Sequence, residues 1–144
     1  MKSIEPGGYL QWDEFEQGLW SHDPSFKKVG EVLALGHALT SKLGFSKVPS
    51  LDVLAAFEEC GLLDVESEDY SSSRHPELAL DYRIWGTSSS RAGWLPVALL
   101  LFGKAGSKEE ADEMAKTMLV GWDEDYAQGC TPLMPWKMMV GRKP

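Results

Sequence analysis

Cysteine is scarce in this chain: Cys60 and Cys130 are the only two, they lie far apart, and neither has a CxxC neighbour. That excludes a disulfide framework and a zinc knuckle, and it suits a reducing compartment. Long apolar runs are missing as well. The most apolar window, Trp94 to Phe102, falls far below the roughly 20 residues that cross a bilayer, and no charged segment leads into an apolar stretch at the amino end. The expectation is a cytoplasmic protein with no membrane partner. Basic residues are outnumbered, 14 against 22 acidic, and the formal charge of −8 repels polyphosphates. No Lys/Arg cluster with interleaved aromatics occurs, so nucleic acid is excluded as a partner. There is no internal repeat and no G-x-G-x-x-G, and Gly103-Lys104-Ala105-Gly106-Ser107 lacks the upstream glycine of a phosphate loop.

What is present fits one soluble α/β domain. A chain of 144 residues with 43% hydrophobic and 25% charged residues is long enough to bury a core and is composed like an ordinary globule. Pro6-Gly7-Gly8 is strong punctuation, because proline presets its own φ and glycine reaches angles other residues avoid. The stretch after that turn, Tyr9 to Phe15, mixes aromatic and polar positions and reads as a strand with Asp13 and Glu14 at its carboxyl end.

Beyond this strand, Asp23-Pro24 predicts a helix start, and Phe26, Val29, Leu33 and Gly36 recur at helical spacing, so a helix over about 24–43 stops at Gly44. Ser50 is expected to cap a second helix that ends at Gly61. Leu63 and Val65 then alternate with acids in a half-buried strand. His75-Pro76 opens a helix with Leu78, Tyr82 and Trp85 on one side, ended by Gly86 and the serine run 88–90; the runs 71–73 and 88–90 both read as loops. Pro96 belongs in the first turn of the apolar block 94–102. Ser107 caps an acid-rich helix whose stripe includes Ala111, Ala115, Leu119 and Trp122. A strand within 135–144 closes the chain.

Three of these stretches together are similar to class I S-adenosylmethionine-dependent methyltransferases. Pro6-Gly7-Gly8 ahead of a strand ending in acids resembles the junction into their fifth strand, and Gly8-Tyr9-Leu10-Gln11-Trp12-Asp13-Glu14 is similar to enzymes of fungal secondary metabolism. Phe57-Glu58-Glu59-Cys60-Gly61-Leu62-Leu63-Asp64-Val65 resembles the lead-in to the penultimate strand, and Val140-Gly141-Arg142-Lys143-Pro144 the final one. The resemblance covers the whole chain. It implies a partial Rossmann-like fold: a small mixed sheet of about three strands flanked by helices, the terminal strand antiparallel between the other two, with a helical insertion over about 75–128. It also implies a truncated, substrate-side half over residues 1–144, with S-adenosylmethionine as the family's donor and no seat for it in this chain. Tyr9–Glu14 would then be an edge strand open to a second copy or to another partner chain.

Strand ends are where open α/β sheets place ligands, so Asp13 and Glu14 are candidates to orient or deprotonate an acceptor hydroxyl, and His22 in the following loop is a candidate general base. The more common alternatives are a solvated strand end for the two acids and an incidental loop histidine. Trp12 could stack on a flat substrate, although a core role is the commoner one for tryptophan; Tyr82, Trp85, Trp94 and Phe102 would suit a small apolar acceptor, or equally a core or an oligomer interface. The acidic run Asp123-Glu124-Asp125 reads as a solvated helix end rather than a metal site. Three functions stand open: methyl transfer in secondary-metabolite biosynthesis, a non-methylating cyclase, isomerase or binding protein that uses the same pocket, and an interaction module that pairs with a full-length methyltransferase.

Overall fold

The computed structural model of the protein describes residues 5–71 and 74–144; at Tyr82, Ser89 and Ala92 the backbone alone is described. The elements in order are β1 (Tyr9–Phe15), α1 (Lys27–Lys42), α2 (Pro49–Glu59), β2 (Leu63–Tyr70), α3 (Ala79–Ser89), α4 (Leu95–Leu101), α5 (Lys108–Ala127) and β3 (Trp136–Arg142). Single 3₁₀ turns cover Gln17–Leu19 and Pro76–Leu78.

The three strands form one sheet in the order β1-β3-β2, so the terminal strand does lie between the other two and β1 is an edge. Both ladders are antiparallel. The sheet is therefore not mixed as expected: β1 and β2 run the same way, but a parallel ladder needs them adjacent, and β3 separates them. At the amino end the turn does what its residues dictate. Gly7 takes φ +77°, Gly8 N–H bonds Glu5 O at 2.9 Å, and Gly7 N–H reaches Lys143 O at 3.0 Å, which ties the turn to the end of β3. In β2 the register slips between Leu63 and Glu66 at a bulge where Asp64 adopts φ 52°; its carboxylate accepts from Arg142 Nε and Nη2, both at 2.7 Å.

Side chains alternate across this sheet. One face carries Leu10, Trp12, Glu14, Met139, Gly141, Lys137 and Asp69, and α2 packs on it: a side chain at Gly141 would meet Phe57 Cδ2 at 3.0 Å and Leu62 Cδ1 at 2.9 Å. The other carries Phe15, Trp136 and Tyr70 at one end and the exposed Gln11, Asp13, Glu66 and Glu68 towards the middle. The main core lies beside the sheet, where α1, α4 and α5 bury Val29, Val32, Leu33, Leu95, Leu99 and Leu119 with Trp20 and Trp122.

Helix ends follow the glycines. After α1, α2 and α4 the chain closes with paired bonds, such as Leu62 N–H to Phe57 O at 3.0 Å and Gly61 N–H to Glu58 O at 2.9 Å, with Gly61 at φ +71°. Ser107 caps α5 as expected, accepting from Glu110 N–H at 3.1 Å.

Other boundaries differ from the expectation. Ser50 does not cap α2; Pro49 occupies the first helical turn, where its missing N–H costs nothing, and the Ser50 hydroxyl is buried without a partner among the described residues. Gly86 does not end a helix. It is buried against Met134, whose Cε would lie 3.3 Å from an added Cβ, so it is small for packing rather than for a left-handed turn. The chain stays helical through the serine run 88–90, passing by a π turn over Ser90–Trp94 into α4, where Pro96 does fall in the first turn. The expected loop at 71–73 lies partly outside the described residues.

Asp23 shapes a turn instead of starting α1. Its carboxylate accepts from Ser25 N–H at 2.9 Å and Ser25 Oγ–H at 2.8 Å, the first of which does most to hold it below the usual carboxylate range. The helix begins at Lys27, and its cap comes from the far end of α5: Asp125 Oδ2 accepts from Lys28 N–H at 2.8 Å and Val29 N–H at 3.0 Å. Asp125 is thus buried and not part of a solvated helix end.

Asp125 also borders Cys130. Burial first, then the carboxylates of Asp125 and Asp23, push the Cys130 thiol up to about 11. Cys60 is exposed. A thiol reagent at pH 8 should therefore modify one cysteine per native chain, Cys60, with the second reacting only after unfolding in urea. Two rapidly reacting thiols in the native protein would contradict the burial of Cys130.

Candidate functional site

The ends of the strands bring aromatic side chains together. Phe15 closes β1 and faces Trp136, the first residue of β3, across the ladder, with ring centroids 6.0 Å apart; Tyr70, at the end of β2, lies 4.9 Å from Trp136 on its other side. From α3, Trp85 stacks on Phe15 at 4.1 Å with the planes 12° apart and meets the edge of Trp20 at 87°. Each such pair contributes about 0.5–1.5 kcal/mol beyond the area it buries, so the cluster holds its own shape. His75 extends it, stacking on Tyr70 at 5.1 Å.

Phe15, Trp85 and Trp136, with Leu78 and Asp81, line an open, largely apolar cavity of about 300 Å³. The volume and lining suit a flat molecule of one or two fused rings. Asp81 is the one carboxylate among the lining residues and stands one helical turn before Trp85, so both present to the same side of α3. It supplies an acceptor for a hydroxyl on a molecule lying against the rings in the open cavity.

The sequence candidates are spread more widely than this cavity. Trp85 lines it. Trp94 packs instead over Gly36 of α1, its Cη2 3.3 Å from where a Cβ would stand, beside a second cavity of about 370 Å³. Phe102 packs against the main core, with the Lys42 ammonium 5.2 Å from its ring centre. Trp12 is 48% exposed on the β1 edge, not in the core, and its indole N–H donates to Glu14 Oε2 at 3.2 Å; Glu14 Oε1 also accepts from Phe15 N–H at 3.1 Å. Asp13 is exposed and accepts from Gln11. The His22 ring lies over Gly30 of α1, leaving no room for a side chain there, and is not among the residues lining the aromatic cavity. The side chain of Tyr82 lies outside the described residues.

Sequence reading missed Phe15, Trp136 and Asp81. Asp81 carried a signal in the i, i+4 spacing to Trp85. The other two meet only because β1 and β3 pair.

A donor such as S-adenosylmethionine needs a strand that leads through a glycine-rich turn to a helix N-terminus. The link from β1 to α1 has one glycine, Gly18, and it packs against the Lys47 backbone with 2.5 Å between Lys47 O and the position of an added Cβ. That glycine serves close packing. Among the described residues no cluster of metal ligands occurs, and no helix is long and apolar enough to cross a membrane. Comparison with known proteins gives no match, either to a family model or to a curated sequence.

Proposed function

We propose that this chain is the acceptor-binding part of a small-molecule methyltransferase, with the aromatic cavity receiving a flat, hydroxyl-bearing substrate. The observation that supports the reading most is the sheet order, with the final strand antiparallel between the other two, combined with an aromatic cavity at the ends of those strands under α3. In this reading Phe15, Trp85 and Trp136 grip the ring, Asp81 orients the hydroxyl, and the donor is held by groups other than those described. A planar phenol tests it. Titrating 1-naphthol while following tryptophan fluorescence should give saturable quenching, and Trp85→Ala should weaken binding by at least about ten-fold, the worth of one good ring contact. S-adenosylmethionine added to this chain alone should produce no saturable heat in calorimetry. Tight one-to-one binding of the donor, or naphthol binding indifferent to Trp85, would overturn the assignment.

A second reading, pairing with another chain, is favoured by the two sheet edges being unlike. The β2 edge carries Asp64, Glu66, Glu68 and Asp69, a charge density that discourages pairing, whereas the β1 edge exposes Tyr9 and Trp12. Antiparallel pairing of two β1 strands about Trp12 would set Gln11 opposite Asp13 and Leu10 opposite Glu14, so no like charges meet. Light scattering at micromolar concentration should then show a dimer, and Trp12→Lys should return it to monomer. A monomeric parent protein would dispose of this second reading without touching the first.

A further inference from the structure

Beyond the aromatic cavity, on the opposite side of the sheet, the residue after β1 is buried with nothing to bond. Glu16 is 3% exposed, and neither carboxylate oxygen has a hydrogen-bond partner among the described residues. A buried carboxylate in that condition costs several kcal/mol or more unless a donor or cation meets it. Its direction follows from the strand: Phe15 turns to Trp85 and Trp136, so Glu16 turns the other way, to the face that carries Lys137 and Asp69.

There it lines a cavity of about 290 Å³. The charged wall holds Glu16, Asp69, Lys137 and Arg74; Tyr70 and Ser71 add hydroxyls, and Leu19, Val48, Leu133 and Pro135 make the apolar part. Two acids and two bases leave the wall neutral overall, but their partnering is uneven. Lys137 Nζ is paired with Asp69 Oδ1 at 3.1 Å. Arg74 stands at the exposed side with one long bond from Nη1 to Asp69 O at 3.5 Å and no carboxylate partner among the described residues. The Glu16 carboxyl at the buried end and the Arg74 guanidinium at the rim are therefore the groups without an ionic partner among the described residues.

We propose that this cavity binds a small zwitterion, a free α-amino acid with an apolar side chain. Its ammonium donates to Glu16, its carboxylate meets Arg74, and its side chain packs on Leu19, Val48 and Leu133. A ligand that is neutral as a whole but carries both signs matches a wall of the same description; a simple cation or anion satisfies one end and leaves the other unmet.

The probes are L-leucine, isoamylamine, which lacks the carboxylate, and 4-methylpentanoate, which lacks the amine, titrated into the full chain with amide NMR shifts as readout. L-leucine should bind saturably, with shifts centred on Glu16, Asp69 and Arg74. Glu16→Gln, isosteric and still able to fold, should weaken it by at least about ten-fold, as should Arg74→Ala. Isoamylamine should bind more weakly than L-leucine and respond to Glu16→Gln but not to Arg74→Ala, and 4-methylpentanoate should bind weakest. Absence of saturable L-leucine binding overturns the proposal, as does equal affinity in the Glu16→Gln protein. So does isoamylamine binding as tightly as L-leucine, because Arg74 would then have no part. Thermal melts of both variants show that the fold is kept. None of these outcomes bears on the naphthol titration, which reads the other face of the sheet.

Discussion

Asp125→Ala should lower the free energy of unfolding by about 2–3 kcal/mol, measured by urea denaturation. The carboxylate accepts from Lys28 and Val29 N–H, two of the four donors that α1 cannot satisfy within itself. Helix caps contribute about 0.5–2 kcal/mol, and bonds to a charged acceptor in a buried place run to the upper end and beyond. Nothing nearby in the chain substitutes for it: the first turn of α1 holds no acid and begins Lys27-Lys28, the wrong sign for the positive end of the helix dipole. Asp125→Asn keeps an oxygen acceptor and loses only the charge, so about 1 kcal/mol is expected. Hydrogen exchange separates this cap from a general packing role. In the alanine variant the Lys28 and Val29 amides should exchange faster, while amides in the middle of α5 keep their order of protection.

Asp125 also marks the limit of what could be read before folding. Local chemistry was legible: the turn at Pro6-Gly7-Gly8, the glycine stops at Gly44 and Gly61, the Ser107 cap and the stripe of α5 each depend on residues within a few positions of one another. The strand order was expected only from a resemblance of three stretches to methyltransferase strands, and β3 does lie between β1 and β2. What escaped was long-range. The cap of α1 comes from 97 residues away, so Asp23-Pro24, the nearest suitable residues, seemed to own the start of the helix. Gly86 and the serine run looked like a stop because nothing local told that Met134 and Trp122 would pack on that glycine and hold the turn helical. The cavity divides in the same way. Trp85 was legible from the apolar side of its helix; Phe15 and Trp136 were ordinary strand-end aromatics until the ladder paired them.

Trp122, packed against α3, leads to the other large effect. Trp122 is 1% exposed in the packed core of α1, α4 and α5, and its Cζ2 lies 3.7 Å from where a Cβ would stand on Gly86, the residue that follows Trp85 in α3. Trp122→Ala removes that support and should cost about 3–5 kcal/mol, the range for truncating a large buried ring. Against a total of about 5–15 kcal/mol for a domain, that leaves little reserve. Phenylalanine separates volume from polarity. The indole Nε1–H of Trp122 is buried without an acceptor among the described residues, so Trp122→Phe discards an unmet donor along with part of the ring, two effects of opposite sign that should leave stability within about 1 kcal/mol of the parent. If Trp122 holds α3 in place, the alanine variant should also weaken 1-naphthol binding under conditions where it is still folded, and the phenylalanine variant should preserve it. Equal losses of stability in the two variants would mean that the indole N–H is satisfied after all. Unchanged naphthol affinity in a folded Trp122→Ala protein would mean that Trp85 is held by Phe15 and Trp20 alone.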